Sequence, residues 1–346
     1  MTVLVFSPNW LGDAVMALPA VADIRRHEAT GRLIVAARPG VAGLWQIAPG
    51  VDEVVVVPRA RGAARWRMLG ENAETLRRAG ADAAILLPNS LQTALTARRA
   101  AIRERWGFRR GLRGWLLTRA IARPRGLVHQ TDYYRHLVAA LGIANGSRVP
   151  ALTVPAALVE GARGMLAAAG WTPGTRLLGI APGAAYGGAK RWPPARFAAV
   201  AAQLAGAHGL QPVLVGSEAD RAATCAIEAE LGKIERADSR PRAITLAGRT
   251  DIPHLAGVLA RCVAFVSNDS GAMHLAAAVG THVIALFGPT DEVATAPLGP
   301  HTIVVRDVFC RPCLLRECPI DHRCMKRITP DAVHALVCGQ LQEARR

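Results

Sequence analysis

The feature that most constrains the fold is an alternation of two hydrophobic patterns that occurs twice along the chain. Short runs of apolar and β-branched residues, such as Val3–Phe6, alternate with longer stretches rich in alanine and leucine, such as Ala14–Arg26. The short runs are typical of strands buried on both faces of a parallel sheet, and the longer stretches of the helices that cover it. The alternation stops at the proline-punctuated stretch Arg148–Pro155 and then resumes. It therefore predicts two doubly wound α/β domains.

These patterns divide the chain into predicted elements. We place the first domain at residues 1–155 and the second at 156–329, followed by a C-terminal helix at about 330–346 that could pack back on the first domain. In the first domain, strands are predicted at Val3–Phe6, Leu33–Ala36, Val54–Val57 and Ala84–Leu87, and helices at Ala14–Arg26, Val41–Ile47 and Ala63–Ala79. In the second domain, strands are predicted at Leu177–Ala181, Pro212–Val215, Ile244–Leu246, Ala264–Ser267 and Val283–Phe287, and helices at Pro194–Ala207, Arg221–Leu231, Ile252–Ala260 and Ala272–Val279.

Composition narrows the class of protein and of partner. Hydrophobic residues make up 51% of the 346 residues, which excludes wholesale disorder and allows a large core. Lysine and arginine together number 42 against 26 acidic residues, giving a formal charge of +16. A balance this basic indicates an acidic partner: nucleic acid, an anionic membrane or a phosphorylated substrate.

Two apolar stretches raise the question of a targeting or membrane segment. The N-terminal one lacks the basic region of a signal peptide and is interrupted by Asp13. The other, Ser270–Thr290, contains no Asp, Glu, Lys or Arg and is long enough to span a membrane, but Gly280–His282 divides it into a predicted helix and strand. The seven cysteines are an odd number. We therefore expect a cytoplasmic protein with reduced thiols.

Two polar motifs follow predicted strands of the second domain. Ala181–Pro193 is rich in glycine, carries Lys190 and leads into a helix, a combination suited to binding phosphate, although it lacks the spacing of a Walker A loop. Ser267–His274 contains Asp269 and Ser270 at the start of the next helix. That carboxylate could hold sugar hydroxyls while the serine and free N–H groups meet a pyrophosphate. A solvated turn and ordinary helix capping are the alternative interpretations of the two motifs.

A third polar motif lies in the first domain. Asn9–Asp13 links the first strand to the first helix, and Asp13 could act as a general base on an incoming hydroxyl or simply cap the helix. Asn89 and Ser90 follow another strand. Because the carboxyl ends of parallel strands meet at one edge of a sheet, both residues could bind an acceptor there.

These motifs, taken in order, resemble those of a known family. SPNWLGDAVMALP, PGAAYGGAKRWP, NDSGAMHLAAA and FGPTD are similar to motifs of the bacterial ADP-heptose:lipopolysaccharide heptosyltransferases, glycosyltransferase family nine. NWLGD, LLPNS and AKRWP resemble heptosyltransferase II more than heptosyltransferase I. The resemblance implies a GT-B fold, with two facing Rossmann-like domains and the nucleotide sugar on the C-terminal one. It also implies an inverting transfer of L-glycero-D-manno-heptose from ADP-heptose to the first inner-core heptose of nascent lipopolysaccharide, with transfer to Kdo or another GT-B reaction as alternatives.

The resemblance also implies roles for individual residues. Asp13 would be the catalytic base, Lys190 would stabilise the departing phosphates and Asp269 would hold the heptose hydroxyls. The donor contacts would come from Gly183, Ala185, Tyr186, Asp220, Asp269, Ser270, Gly271, Met273 and His274. Asp220 would approach the ribose. Where relatives are expected to carry an acid, this chain has Ala185. Acceptor contacts are expected from Asn9, Trp10, Asn89, Ser90, Arg109, Arg110 and Arg113, and no cofactor or metal is expected in the reaction.

The basic charge is concentrated in one segment. Arg98–Arg125 holds ten arginines and a single acid, Glu104, with Trp106, Phe108 and Trp115 between them. An acidic, phosphorylated lipid acceptor on the anionic inner leaflet would explain both the arginines and the aromatic residues. This interpretation predicts peripheral association with the cytoplasmic face of the inner membrane. A solvated basic face is the alternative, and nucleic-acid binding is disfavoured because no RNA- or DNA-binding motif accompanies the charge.

Four of the cysteines fall within fifteen residues. The spacing of Cys310, Cys313, Cys318 and Cys324 permits a tetrahedral zinc site, although it is not the paired pattern of a zinc ribbon. Packed, reduced thiols are the alternative. The other three cysteines are predicted to lie in the core; they are Cys225, Cys262 and Cys338.

Overall fold

The chain forms two compact units, Met1–Thr153 and Val154–Arg346. The computed structural model describes residues 1–60, 62–234 and 242–344. The division between the units lies inside Arg148–Pro155, the segment predicted to be a linker. Each unit is built around a parallel sheet that has six strands in the described part of the chain.

The first unit has the strand order of a Rossmann fold. Its sheet is ordered β3-β2-β1-β4-β5-β6, and every neighbouring pair is parallel. The strands are β1 (Val3–Phe6), β2 (Leu33–Ala37), β3 (Glu53–Val56), β4 (Ala83–Leu86), β5 (Glu104–Phe108) and β6 (Arg119–Ile121). The helices are α1 (Leu11–His27), α2 (Pro39–Gln46), α3 (Ala64–Arg78), α4 (Leu91–Arg99) and α5 (Gln130–Ala140).

The first four strands confirm the prediction, and the last two were not predicted. β1 and β4 are buried along their whole length, as continuous apolar runs at the centre of a covered parallel sheet should be. β5 and β6 lie inside the arginine-rich segment, and their side chains are partly exposed towards the sheet edge. β6 is the edge strand and β5 pairs with both β4 and β6, but each strand carries charged side chains, such as Arg105 and Arg119, so the hydrophobic pattern did not reveal them.

The second unit repeats the same topology. Its sheet is ordered β12-β11-β10-β7-β8-β9, again with parallel neighbours. The strands are β7 (Leu177–Ala181), β8 (Gln211–Leu214), β9 (Ile244–Thr245), β10 (Cys262–Asn268), β11 (Val283–Leu286) and β12 (His301–Val304). The helices are α6 (Ala156–Ala168), α7 (Pro194–His208), α8 (Arg221–Ile234), α9 (Ile252–Leu259), α10 (Gly271–Ala278), α11 (Glu292–Thr295), α12 (Arg323–Lys326) and α13 (Pro330–Glu343).

The C-terminal helix α13 belongs to the second core. Val333, Val337 and Leu341 are spaced four residues apart, so they share one face of the helix, and all three are buried with side chains of α7 and the second sheet. The sequence had left open that this helix packs on the first domain; its apolar face is instead used within the second.

The long uncharged stretch near residue 280 is not a membrane span. It contains α10 and β11, as predicted. Across the described residues, no helix combines the length and the apolar character needed to cross a bilayer.

Candidate functional site

Both predicted sites lie at the point where the strand order of a Rossmann sheet reverses. In the first sheet this point separates β1 from β4, and in the second it separates β7 from β10. The chains leaving the two strands diverge to opposite faces there, which opens a crevice beyond their carboxyl ends. Asn9–Asp13 follows β1 and Asn89 follows β4, whereas Lys190 follows β7 and Asp269 follows β10.

The first crevice is a pocket of about 370 Å³. It brings together six of the residues that the sequence singled out, namely Asn9, Trp10, Asp13, Asn89, Ser90 and Arg110. Three polar residues of α5 also line the pocket, and the sequence analysis missed them: Gln130, Tyr133 and Tyr134. They come from a helix about forty residues further along the chain, so no local motif indicated them.

Asp13 lies in the first turn of α1 but does not cap it. Trp10 holds the extended N-cap position, and Asp13 is the third helical residue. The partial positive charge of a helix N-terminus favours the ionised form of a carboxylate placed there. Burial and, secondarily, the charge of Asp13 raise the pKa of Tyr134, so the two side chains act on each other electrostatically. The pocket thus contains a carboxylate beside a neutral phenol.

Asn89 is held by a tyrosine of the same pocket. Its Nδ2 donates to the Tyr133 hydroxyl at 2.8 Å, and the Tyr133 ring packs 4.4 Å from that of Phe108. The Asn89 Oδ1 is buried without a hydrogen-bond partner among the described residues. An unsatisfied buried acceptor is costly, and a donor from a bound molecule would satisfy it.

Arg113 does not belong to an exposed basic surface, contrary to the expectation from its place in the arginine-rich segment. It is 1% exposed, and its Nη1 donates to the Pro88 carbonyl at 2.5 Å. Burial lowers the pKa of Arg113 to about 10. The guanidinium, which the 3₁₀ turn Gly111–Leu116 carries, therefore supports the backbone at Pro88, next to Asn89. Arg109 and Arg110, in contrast, are exposed.

Ser90 has a structural role in the pocket wall. It is the N-cap of α4, and its hydroxyl accepts from the Thr93 backbone N–H at 3.1 Å and contacts the Thr93 hydroxyl at 2.6 Å. The sequence analysis predicted only an acceptor contact for Ser90 and did not consider this capping role. Trp10 is 59% exposed and forms the outer edge of the pocket.

The second crevice contains an ion pair. Lys190 Nζ lies 2.5 Å from Asp269 Oδ2, and the two side chains are 12% and 6% exposed. The same carboxylate oxygen accepts from the Thr290 hydroxyl at 2.6 Å. Lys190 Nζ also lies 4.8 Å from the centre of the Tyr186 ring, within the range of a cation–π contact. The structure thus joins three residues of the predicted donor site: Lys190, Asp269 and Tyr186.

Two further predicted residues, Gly183 and Asp220, lie next to each other. Asp220 accepts from the backbone N–H and the hydroxyl of Ser217, at 3.0 and 2.7 Å, and so caps a short 3₁₀ turn. A Cβ on Gly183 would lie 2.3 Å from an oxygen of Asp220, so a side chain at this position would displace the Asp220 carboxylate. Ala185, at the tip of the loop, is exposed.

The start of α10 offers backbone donors. Ser270 is its N-cap, but the hydroxyl makes no capping bond and instead lies 3.1 Å from that of Ser267. The first N–H groups of a helix have no partner within it, and those of Gly271 and Met273 are of this kind. The Met273 side chain is completely buried, so the backbone is the part of it that could face a ligand. His274 is also buried.

Comparison with known proteins agrees with this arrangement. Residues 70–323 match the pattern of glycosyltransferase family 9 (heptosyltransferase). The chain belongs to this family. It is 32% identical to lipopolysaccharide heptosyltransferase 2 of Salmonella typhimurium and 31% identical to lipooligosaccharide heptosyltransferase 2 of Haemophilus influenzae, in each case across 88% of both chains. The solved structure of ADP-heptose LPS heptosyltransferase II from E. coli matches it with a TM-score of 0.83, at 27% identity and over 100% of both chains.

The match to family 9 covers the two sites unequally. It begins at residue 70, so it includes Asn89 and the whole second crevice, whereas Asn9, Trp10 and Asp13 lie before it. Those three residues nevertheless line the same pocket as Asn89, which lies inside the matched range.

In the second site of the glycosyltransferase, a distant segment of the chain is hydrogen-bonded to the loop that carries Lys190, which the sequence did not reveal. The cysteine-rich segment, Cys310–Cys324, packs against the loop that carries Lys190. The Ala189 backbone N–H donates to the Arg316 carbonyl at 2.9 Å, and the Gly188 N–H donates to Glu317 Oε1 at 2.9 Å. The Tyr186 hydroxyl donates to the Leu314 carbonyl at 2.6 Å. This segment therefore orders the loop.

The cysteines themselves are free thiols in the described chain. Burial raises the pKa of Cys324, and the nearby Cys310, Cys318 and Cys313 raise it further. Among the described residues, however, they do not form a set of three ligand atoms within 4.8 Å. Cys262 is buried as predicted, whereas Cys225 is exposed and the prediction of a core position for it was wrong.

Proposed function

We propose that this family 9 enzyme transfers L-glycero-D-manno-heptose from ADP-heptose to the first inner-core heptose of nascent lipopolysaccharide, with inversion at the anomeric carbon. The relatives named heptosyltransferase 2, which match nearly nine-tenths of the chain, support this reaction over transfer to Kdo. They also support it over another GT-B reaction with a different nucleotide sugar.

The observation that carries the proposal is the opposite chemistry of the two crevices. The first holds the carboxylate of Asp13 in an open pocket, and the second holds the ammonium of Lys190 beside the N-terminus of α10. Glycosyl transfer requires a base for the acceptor hydroxyl and positive groups for the leaving diphosphate. Each crevice supplies one of these requirements.

The donor would bind to the second crevice. Lys190 has three N–H donors, of which Asp269 accepts one, so it can also contact the diphosphate. Ser270 and the backbone N–H groups of Gly271 and Met273 would bind the same phosphates. Asp269 would accept hydrogen bonds from heptose hydroxyls, because an ionised carboxylate is a strong acceptor.

The remaining predicted donor residues would surround the nucleotide. They are Gly183, Ala185, Tyr186, Asp220 and His274. Asp220 would bind the ribose, although one of its oxygens is already engaged in capping. Tyr186 would position the Lys190 ammonium through the cation–π contact.

In the first crevice, Asp13 would remove the proton from the attacking hydroxyl. The hydroxyl oxygen would attack the anomeric carbon from the face opposite the diphosphate, and the bond to the diphosphate would break. Asn9, Trp10, Asn89, Arg110 and the tyrosines of α5 would orient the acceptor sugar. Since the ammonium and the N–H groups stabilise the leaving group, we propose that the reaction uses no metal or other cofactor.

We further propose that the enzyme works in the cytoplasm, bound peripherally to the inner leaflet of the inner membrane. Arg109 and Arg110 are exposed, and no acidic residue stands beside them in the sequence. The nearby apolar side chains of Leu112 and Trp115 are 76% and 88% exposed. Cationic and apolar side chains together suit an anionic lipid surface better than nucleic acid. Arg113, which is buried, would support the pocket rather than touch lipid.

Product analysis tests the reaction. The enzyme is incubated with ADP-heptose and Kdo2-lipid A, with and without the first heptose on the acceptor, and the products are weighed by mass spectrometry. We expect one added heptose on the heptosylated acceptor alone. Addition to the acceptor without heptose would replace the proposal with transfer to Kdo, and no addition to either would reject both. Binding to DNA without binding to ADP would support a nucleic-acid-binding role.

A further inference from the structure

A cluster of metal-binding side chains lies away from both crevices. His208 ends α7, and His334 and Cys338 lie one turn apart on α13. Each of the three offers a ligand atom, and these atoms all lie within 4.8 Å of one another. None of the three takes part in the proposed reaction.

The distances between the ligand atoms resemble the edges of a zinc tetrahedron. His208 Nε2 lies 3.1 Å from Cys338 Sγ, which lies 3.5 Å from His334 Nε2. Zn–N bonds of about 2.0 Å and Zn–S bonds of about 2.3 Å at tetrahedral angles place neighbouring ligand atoms roughly 3.5 Å apart. Small rotations of the side chains would therefore complete three corners of such a site.

The surroundings also favour a cation. His208 lies in the last turn of α7, where the helix carries partial negative charge. All three side chains are partly buried, so the site is shielded but open to entry. One thiolate and two imidazoles form a ligand set that prefers zinc to magnesium or calcium.

We propose that His208, His334 and Cys338 bind a thiophilic divalent cation of the zinc class. The cation joins α13 to α7, and a water molecule occupies its fourth position. On binding, the Cys338 thiol releases its proton to solvent and the thiolate coordinates the metal. Because Val333 and Val337 of α13 belong to the second core, the metal stabilises the folded second domain. This role is independent of the transferase reaction.

Cobalt and zinc binding to the full-length protein test the site. After treatment with a chelator and a thiol reductant, the protein is titrated with Co²⁺, which gives a sulfur-to-metal charge-transfer band when a thiolate binds. We expect one equivalent to produce the band and Cys338→Ser to abolish it. Zn²⁺ should raise the melting temperature, and His334→Gln should weaken zinc binding by more than about ten-fold, the loss typical even of outer-shell partners.

Three variants separate this site from other cysteines and from misfolding. Cys225→Ser changes an exposed thiol elsewhere and should keep the band. Cys310→Ser/Cys313→Ser should also keep it, since those thiols lie in the other cysteine cluster. Cys338→His should bind zinc while lacking the sulfur band, which would show that the loss in Cys338→Ser is a loss of a ligand. Either of two results would overturn the proposal: a charge-transfer band that is unchanged in Cys338→Ser, or no zinc binding by the wild-type protein. Cys338 would then be only a thiol in hydrogen-bond contact with the two histidines.

Discussion

The two domains have the same strand order, and in both the polar crevice lies where that order reverses. The crevices differ in how far their polar side chains are already paired with one another. The first is an open pocket of about 370 Å³ that contains a buried, unsatisfied oxygen of Asn89. In the second, Lys190 and Asp269 already satisfy each other, and the cysteine-rich segment holds the loop in place. The topology therefore fixes where a site forms, and the loops after the strands decide its chemistry.

This difference suggests how each crevice meets its substrate. A molecule entering the first crevice meets the Asn89 Oδ1, which has no hydrogen-bond partner among the described residues, so a donor can bind that oxygen without displacing an existing contact. In the second crevice, Lys190 is already paired with Asp269, so the diphosphate of the proposed donor would share the ammonium with that carboxylate. The pairing would orient the ammonium before the donor binds, which is a form of preorganisation.

Loss of the base should have the largest effect. Asp13→Asn should reduce the transfer rate by roughly 10²- to 10⁴-fold, the usual contribution of a general base, and leave the affinity for ADP unchanged. The substitution should not remove the N-cap of α1, because Trp10 rather than Asp13 holds that position. Steady-state rates and calorimetric titration with ADP provide the measurement.

The matched control for this change is Glu71→Gln, which removes an exposed carboxylate from α3 of the same domain. It should leave both the rate and the affinity as in wild type. Near-normal turnover by Asp13→Asn would show that Asp13 is not the base. The first crevice would then not supply the base and would no longer differ from the second crevice in that respect.

A second change tests the shared lysine. Lys190→Ala should weaken binding of ADP and of the donor by about ten- to a hundred-fold, because a charge-assisted hydrogen bond contributes roughly 1.5–3 kcal/mol. It should also destabilise the protein, since Asp269 loses its buried partner. Lys233→Ala removes an exposed lysine of the same domain and serves as the control. Unchanged ADP affinity in Lys190→Ala would make the ion pair purely structural.

A third change tests the surface of the first domain. Arg109→Glu/Arg110→Glu should raise the acceptor KM and weaken binding to phosphatidylglycerol vesicles by at least about ten-fold, because each basic residue near an anionic leaflet contributes about 1 kcal/mol. ADP affinity should not change. Arg113 is left out because its reversal would bury an acid and unfold the domain.

The control for the arginine pair is a double reversal in the second domain, Arg163→Glu/Arg221→Glu, where both side chains are exposed. It changes the net charge equally. If both double variants lose vesicle binding to the same extent, overall charge rather than a surface of the first domain governs association.

The sequence predicted the parts of the molecule that depend on local patterns. The central strands, such as β1 and β4, are continuous apolar runs, and Lys190 and Asp269 stand in motifs directly after strands. Hydrophobic periodicity and strand-end polarity are sufficient to find such features. The sequence could not show that Lys190 and Asp269 pair, since 79 residues separate them.

Features that depend on distant packing were missed or misjudged. Tyr133 enters the pocket from α5, and Arg113 turns into the core although it stands among exposed arginines. In both cases the decisive contacts are with residues more than twenty positions away, such as Asn89 and Pro88. Charge alone predicts exposure, and tertiary packing overrides it here.

The smallest effects should separate two serines that occupy equivalent positions in the two domains. Ser90 caps α4, whereas Ser270, at the N-cap of α10, makes no capping bond. Ser90→Ala should therefore cost about 1 kcal/mol of stability and lower the melting temperature by a few degrees, with no change in ADP affinity. Ser270→Ala should leave the melting temperature nearly unchanged and weaken ADP binding several-fold, through loss of one hydrogen bond to phosphate. Ser90→Asn, which retains a capping side chain, should restore stability. A raised acceptor KM in that stable variant would show that the Ser90 hydroxyl binds the acceptor as well as the helix, and the contrast between the two serines would then fail.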